Sequence, residues 1–287
     1  MQVSIGLPAT IPGVHRDLIF DWARKADASP FASVGILDRL VYPNYESLMT
    51  LAAVASITQR VRLMTTILIA PLRNTGILAK QAATLDALSG GRLTLGLAVG
   101  SREDDFRAAP ASFPDRGKRF DQQLATMRRI WSGQPLSDDV GPIGPPAAQQ
   151  DGPELLIGGR GPEALKRVGL WGDGFISGGG GPQAAQQGYT RAKEQWDAEG
   201  RAGKPRFVAC GYFGLGPNAT EGIHSYIEHY YSFMGPMANQ FANSTPATPQ
   251  AVKDIIEAFT DVGVDEALLW PCIPALDQVD RLAELIG

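Results

Sequence analysis

The chain has 287 residues, a formal net charge of -4 and only two cysteines, Cys210 and Cys272. Hydrophobic residues make up 44% and charged residues 20%, the balance of a compact globular enzyme and not of a disordered or nucleic-acid-binding chain, which would carry a charge excess. Two distant cysteines exclude a disulfide framework and a cysteine zinc site, so both are expected to be buried free thiols. The longest apolar run, Ile67 to Leu72, is too short to cross a bilayer and is interrupted by Pro71, so no membrane partner is expected.

Met1 runs directly into the strand-like Val3–Leu7 with no basic region, apolar stretch and cleavage site, and the expected location is therefore the cytoplasm. From there strand-like and amphipathic helical runs alternate to the C-terminus. The strands are predicted at Val3–Leu7, Val34–Leu37, Val61–Ile69, Leu93–Val99, Glu154–Ile157, Gly174–Ser177, Arg206–Phe213 and Glu266–Trp270. Between them Leu48, Leu51, Ala52 and Ala55 recur at helical spacing, as do Phe120, Leu124, Met127 and Trp131, and Val252, Ile255, Ile256 and Phe259. Leu276, Val279, Leu282, Ala283 and Ile286 mark a last helix over the final strand. Eight parallel strands with interleaved helices close into a (β/α)8 TIM barrel, and residues 1–287 are read as one such domain.

Two stretches interrupt the alternation. Residues 133–153 and 235–249 are rich in Pro and Gly and are predicted to be irregular excursions, the kind that shapes an active site when it lies beside the C-terminal ends of barrel strands.

The segment with the clearest chemistry follows the fifth strand. Gly158-Gly159-Arg160-Gly161 leads into a helix with Pro162 in its first turn. Glycines let the backbone approach a ligand closely, the first-turn N–H groups point outward, and Arg160 adds a forked donor, so this is an anion cradle. Gly159 to Ala164 also satisfies the dinucleotide pattern G-x-G-x-x-A, but about 20 residues on, where a ribose-binding acid belongs, stand glycines 178–181. A terminal phosphate monoester fits better, and a turn without a ligand is the alternative. Ser177-Gly178 opens a second glycine loop beside the first, able to close around the same phosphate or to act as a plain connector.

The stretch from Leu78 to Gly100, LAKQAATLDALSGGRLTLGLAVG, resembles the most characteristic segment of the luciferase-like monooxygenase family, which includes alkanesulfonate monooxygenases and deazaflavin-dependent reductases. Phe31–Arg39, Leu63–Leu72, Arg116–Trp131, Leu155–Leu165 and Trp171–Ile176 flank it in the matching order. The resemblance implies a bacterial-luciferase-like barrel that binds reduced FMN or the deazaflavin coenzyme F420. It places Val99 and Gly100 against the ring and puts a non-proline cis bond at Thr66–Ile67 beneath it. It also singles out Asp38 and Arg39 as the polar groups nearest the reacting edge. Many deazaflavin-dependent relatives carry His at the position of Arg39, and sugar-phosphate dehydrogenases carry an acid at the position of Ser101. Arginine stays protonated and is a poor general base, so a close copy of that dehydrogenase is not expected.

Further candidates are weaker. Arg116 and Arg119 open the fourth predicted helix and either reach the phosphate or face solvent. The three histidines, His15, His224 and His229, lack metal-ligand spacing, and His229 is either exposed or substrate-facing. No nucleophile elbow or P-loop occurs. A phosphosugar isomerase or aldolase barrel needs a Lys or Glu at a strand end, whereas every lysine falls in a predicted helix or loop. The expected function is therefore monooxygenation of a small organic substrate by reduced FMN, supplied by a separate NAD(P)H:flavin reductase. Deazaflavin-dependent reduction or dehydrogenation is the first alternative and a non-catalytic flavin-binding homologue the second. A homodimer is implied by the resemblance.

Overall fold

The computed structural model describes residues 1–287. Eight strands form one closed parallel barrel in sequence order: β1 (Gln2–Gly6), β2 (Ser33–Ile36), β3 (Arg62–Ile69), β4 (Leu93–Ala98), β5 (Glu154–Gly158), β6 (Gly174–Ser177), β7 (Arg206–Phe213) and β8 (Glu266–Pro271). The barrel closes where β1 pairs with β8, from Gln2 opposite Glu266 to Ile5 opposite Leu269. Each predicted strand is present, with ends within one residue or so of the expected ones.

Around the barrel lie α1 (Arg16–Ala28), α2 (Ser47–Ala55), α3 (Thr75–Ser89), α4 (Glu103–Ala108), α5 (Arg116–Trp131), α6 (Pro162–Trp171), α7 (Gly181–Ala198), α8 (Ala219–Tyr230), α9 (Pro236–Ser244), α10 (Pro249–Asp261) and α11 (Asp277–Ile286). None is long and apolar enough to cross a membrane. Several begin on a side-chain cap: Glu46 accepts from the Met49 amide, Asn74 from Ile77 and Thr248 from Ala251. The predicted stripes face inward, with Leu48, Leu51, Leu124, Met127, Val252 and Phe259 all buried in the layer between helices and strands. A second apolar cluster, including Met64, Leu156, Ile176, Leu268 and Trp270, fills the barrel itself.

The floor of the barrel is ionic. Arg206 pairs with both Glu154 and Glu266, and Arg62 reaches Glu154 at 3.2 Å. An open depression of about 830 Å³ lies beside this network, lined also by Arg128, Asp173 and Arg201. Those arginines are themselves paired to Asp173. Because this is the N-terminal face, where barrels invest in stability, it is set aside as a reaction site.

Three expectations are corrected. Residues 235–249 are not an irregular excursion, since α9 occupies most of them. Pro236 sits in its first turn and Ala238 and Ala242 are buried one turn apart, a period that the Pro and Gly content obscured. Residues 133–153 are irregular, but none of them lines the cavity at the glycine loops. They follow α5 and run along the outside of α3, where Lys80 Nζ donates to the Gly144 carbonyl at 2.6 Å and Gln149 donates twice to Asp86. Finally, α4 was not anticipated: six residues are too few to show a period, although Glu103, Asp104 and Asp105 give it the acidic first turn that a helix favours.

Candidate active site at the C-terminal face

The site is built from a break in β3. The Thr66–Ile67 peptide is cis, and pairing with β4 shifts register between Thr65 and Leu68. Thr65 Oγ1 donates to the Gly96 carbonyl at 2.8 Å. Gly96 is required there, because a Cβ at that position would run into the Thr65 carbonyl. The bulge turns the Ile67 side chain toward the mouth of the barrel, where its tip nests against Gly158 of β5 and, at 3.5 Å from an ideal Cβ position, Gly178 after β6.

Those elements enclose a cavity of about 580 Å³ lined by Ile67, Val99, Gly100, Gly158, Gly159, Arg160, Ser177 and Gly178. Eight positions singled out separately in the sequence thus share one space. Thr66 and Gly161 are adjacent but do not line it. Thr66 is buried with its hydroxyl 3.2 Å from the Ile36 carbonyl, and Gly161 is the N-cap of α6. Gly100 has φ 75°, and a Cβ there would lie 2.6 Å from Ile69 Cγ2, so only glycine keeps this wall flat.

The N-terminus of α6 opens beside the cavity, whereas α7 presents its flank, and the Gly179–Gly181 loop at its start lines a separate cavity. Like most of the helices, α6 has no side-chain cap. Its first-turn N–H groups and the positive end of its dipole are available to an anion. Arg160 spans the two glycine loops, donating from Nη2 to the Gly179 carbonyl at 3.0 Å. A flat wall, a glycine-lined slot and the helix terminus of α6 together fit a ring system with a phosphate tail.

A profile of the luciferase-like monooxygenase family matches residues 3–271. The chain belongs to this family. Among curated relatives, the F420-dependent glucose-6-phosphate dehydrogenase of Beutenbergia cavernae is 34% identical over 170 residues, covering 55% of this chain and 49% of the relative. The chain thus spans about half the length of that enzyme. Two solved structures share the luciferase-like fold over almost the whole chain. Monooxygenase RslO1 from Streptomyces bottropensis superposes with TM-score 0.78 at 20% identity, covering 100% of this chain and 97% of its own. An F420-dependent secondary alcohol dehydrogenase, solved with an F420–acetone adduct, superposes with TM-score 0.80 at 19% identity, covering 99% and 98%. The first and third of these relatives are F420-dependent, and a riboflavin lyase of the same fold, superposing with TM-score 0.75 at 16% identity over 100% of this chain and 91% of its own, was solved with modified FMN, so flavin-type cofactors recur among the relatives.

The polar candidates at the end of β2 are arranged differently from one another. Asp38 is consumed by its own neighbours: Arg73 donates to both carboxylate oxygens at 2.8 and 2.9 Å, the Ile69 amide at 2.8 Å and the Ser47 hydroxyl at 3.1 Å. Burial alone would lower the Arg73 pKa, but the Asp38 and Glu46 carboxylates outweigh it and raise the value. This luciferase-like barrel therefore uses Asp38 to pin the end of β2 to the end of β3, just beyond the cis bond. Arg39 instead lies in an aromatic box, its guanidinium carbon 4.4 Å from the Tyr42 ring centroid and 5.3 Å from that of Tyr230, with Nη1 donating to the Tyr230 carbonyl at 2.8 Å. Its buried Nε has no partner in the protein.

Other expectations resolve plainly. Arg116 donates to the Gly100 and Phe113 carbonyls and Arg119 to the Arg73 carbonyl, so both support the site's walls from behind. Ser101 lines the cavity. His229 is paired through Nδ1 with the Tyr42 hydroxyl at 2.7 Å, and His224 with Glu228 at 2.9 Å. Cys210 and Cys272 are buried and free.

Two groups escaped sequence reasoning. Tyr212, Tyr226, Tyr230 and Tyr231 are packed together over the ends of β7 and β8, with the Tyr212 and Tyr231 hydroxyls 2.9 Å apart and Tyr226 bonded to Thr10 at 2.6 Å. Burial raises the pKa of all four, that of Tyr231 to about 12, which keeps them protonated as donors. The second group is the face of α7 carrying Ala184, Gln187, Gly188 and Arg191, which forms the cavity's outer wall. Its spacing of four and three was legible, but nothing local said which neighbour the face would meet.

Proposed function

We propose that the protein is a flavin-dependent oxidoreductase that binds reduced FMN and uses it in the monooxygenation of a small organic substrate. The observation that carries this reading is the single cavity that brings Ile67, Gly100 and both glycine loops together at the C-terminal face. In it the ring would rest on the Thr66–Ile67 bulge and Gly100, and the phosphate would sit at the N-terminus of α6, beside the flank of α7. When bound, the reduced flavin supplies the electrons for the reaction.

The chain's own contributions follow from its side chains. Arg160 and the first-turn amides hold the anion. Asp38, through Arg73 and the Ile69 amide, keeps the ring platform in register. Arg39 stays charged throughout and orients an electron-rich or anionic substrate group, taking no part as a base. The buried tyrosines exclude water from one side of the mouth and offer hydroxyl donors in its place. In this reading a separate NAD(P)H:flavin reductase supplies the reduced flavin, and the protein works as a homodimer.

A second reading, hydride transfer with the deazaflavin F420, is favoured by the 34% identity to the Beutenbergia enzyme. Side-by-side titration of the purified protein with FMN and F420 separates the two, because tight binding of only one selects the reaction class. Turnover of reduced FMN with a panel of aldehydes and sulfonates then tests the chemistry. Saturable FMN binding with no substrate-dependent product would refute monooxygenation and leave a non-catalytic flavin binder.

A further inference from the structure

The cavity at the glycine loops contains just two ionisable side chains, Arg160 and Arg191, and no carboxylate. Arg160 is already tied to one loop through the Gly179 carbonyl. Arg191 lies on the opposite wall, on α7, and takes part in no hydrogen bond or ion pair. Two residues away on the same helix Lys193 pairs with Asp197, so partners are within the helix's reach, yet Arg191 has none.

The helix surface explains where Arg191 stands. Side chains lean toward the N-terminus of their helix, and residues three, four and seven apart share a face. Ala184 and Gly188 precede Arg191 at those spacings and are small. A Cβ at Gly188 would come 2.8 Å from the Phe175 ring, so this face is cut back to the backbone. Arg191, itself exposed, therefore stands on this face at the rim of the cavity that Gly159, Arg160 and Gly178 line with it. A neighbouring recess between α6 and α7 also includes Arg191, beside Glu163 and Glu194, yet neither carboxylate is paired with it.

We propose that Arg191 is a second phosphate-binding side chain, and that with Arg160 it makes this pocket selective for a doubly charged phosphate monoester. The proposal rests on the flavin-type reading above and sharpens it: two positive charges without a carboxylate match FMN, whose terminal phosphate carries about -1.5 to -2 at pH 7 like other monoesters. A phosphodiester such as that of F420 carries one charge and leaves half of the match unused.

The test is a fluorescence titration of the full-length protein and its Arg191→Ala and Arg191→Lys variants with FMN, riboflavin and F420, with melting curves to confirm that each variant is folded. Wild type is expected to bind FMN more tightly than either riboflavin or F420. Arg191→Ala should lose at least about tenfold in FMN affinity, near 1.4 kcal/mol, with riboflavin affinity unchanged. Arg191→Lys should recover part of that loss, since it restores the charge without the fork. An FMN Kd in Arg191→Ala within twofold of wild type would overturn the role of Arg191, as would an equal loss for riboflavin. Tighter wild-type binding of F420 than of FMN would overturn the monoester selectivity. If wild type bound neither FMN nor F420, the flavin-type reading itself would fall, a result distinct from an unaffected Arg191→Ala variant.

Discussion

Replacing Asp38 by Asn separates a structural carboxylate from a reacting one. The Asp38 side chain is 5% exposed and Arg73 20%, which places the pair among buried salt bridges. Losing one partner of such a pair costs about 3–5 kcal/mol, because the other charge stays behind in a dry site. Arg73 keeps Glu46 at 3.1 Å and the Ile69 carbonyl at 3.1 Å, so the cost should fall at and somewhat below the lower end of that range, about 2–4 kcal/mol. At about 2.1 cal/mol/K per residue the unfolding entropy of this chain is roughly 0.6 kcal/mol/K, and the expected fall in Tm is about 3–7 °C. Arg73→Met should fall by a similar amount. The double variant should lose less than the sum of the two, since neither orphaned charge remains. Differential scanning calorimetry of the four proteins completes the cycle. A melting temperature for Asp38→Asn within about 1 °C of wild type, or strictly additive losses, would refute the pinning role and return Asp38 to the reaction.

The remaining predictions concern the wall, the floor and the thiols. Gly100→Ala combines a left-handed φ with a close contact to Ile69. It should cost about 1–3 kcal/mol, or roughly 2–5 °C in Tm, and weaken flavin binding in a titration. Gly13→Ala, at φ 81° with nothing near its Cβ, measures the backbone part alone. At the floor, burial alone would raise the Glu154 pKa, but Arg206, Arg62 and the Thr94 hydroxyl hold it below its ordinary value of 4.5. The stability that this depression represents is fully present above that value and is lost as pH falls through the lower folded-state pKa. Acid unfolding followed by circular dichroism should accordingly be less steep in Glu154→Gln, and an unchanged acid limb would count against the network. Burial also pushes the Cys210 thiol up to about 12 and raises Cys272 too. Both should resist a thiol reagent in the folded protein and react only in denaturant, and fast labelling of the native protein would contradict their burial.

Much of this architecture is local in origin and was readable in advance. The strand and helix periods, the Gly90 cap after α3 and the Gly-rich turns after β5 and β6 depend on residues close together in the chain. The identity of the eight cavity-lining positions was also legible, because glycine and strand-end positions carry their own signals and the family resemblance aligned them. The short α4 and the helix α9 were not, since one is too brief for a period and the other begins in a Pro-rich segment.

What the amino-acid order determined alone was therefore the eight strands, their sequence around the barrel, and a glycine-rich loop beside a flat backbone wall. Tertiary structure decided which side chains are left over for a ligand. Asp38 and Arg39 are neighbours in the chain, yet one is spent on Arg73 and the other stands in an aromatic box. Arg160 and Arg191 are distant in the chain, yet they face the same space. Pairing of charges is a contest among all groups brought within a few ångströms, and closing the barrel is what sets those distances.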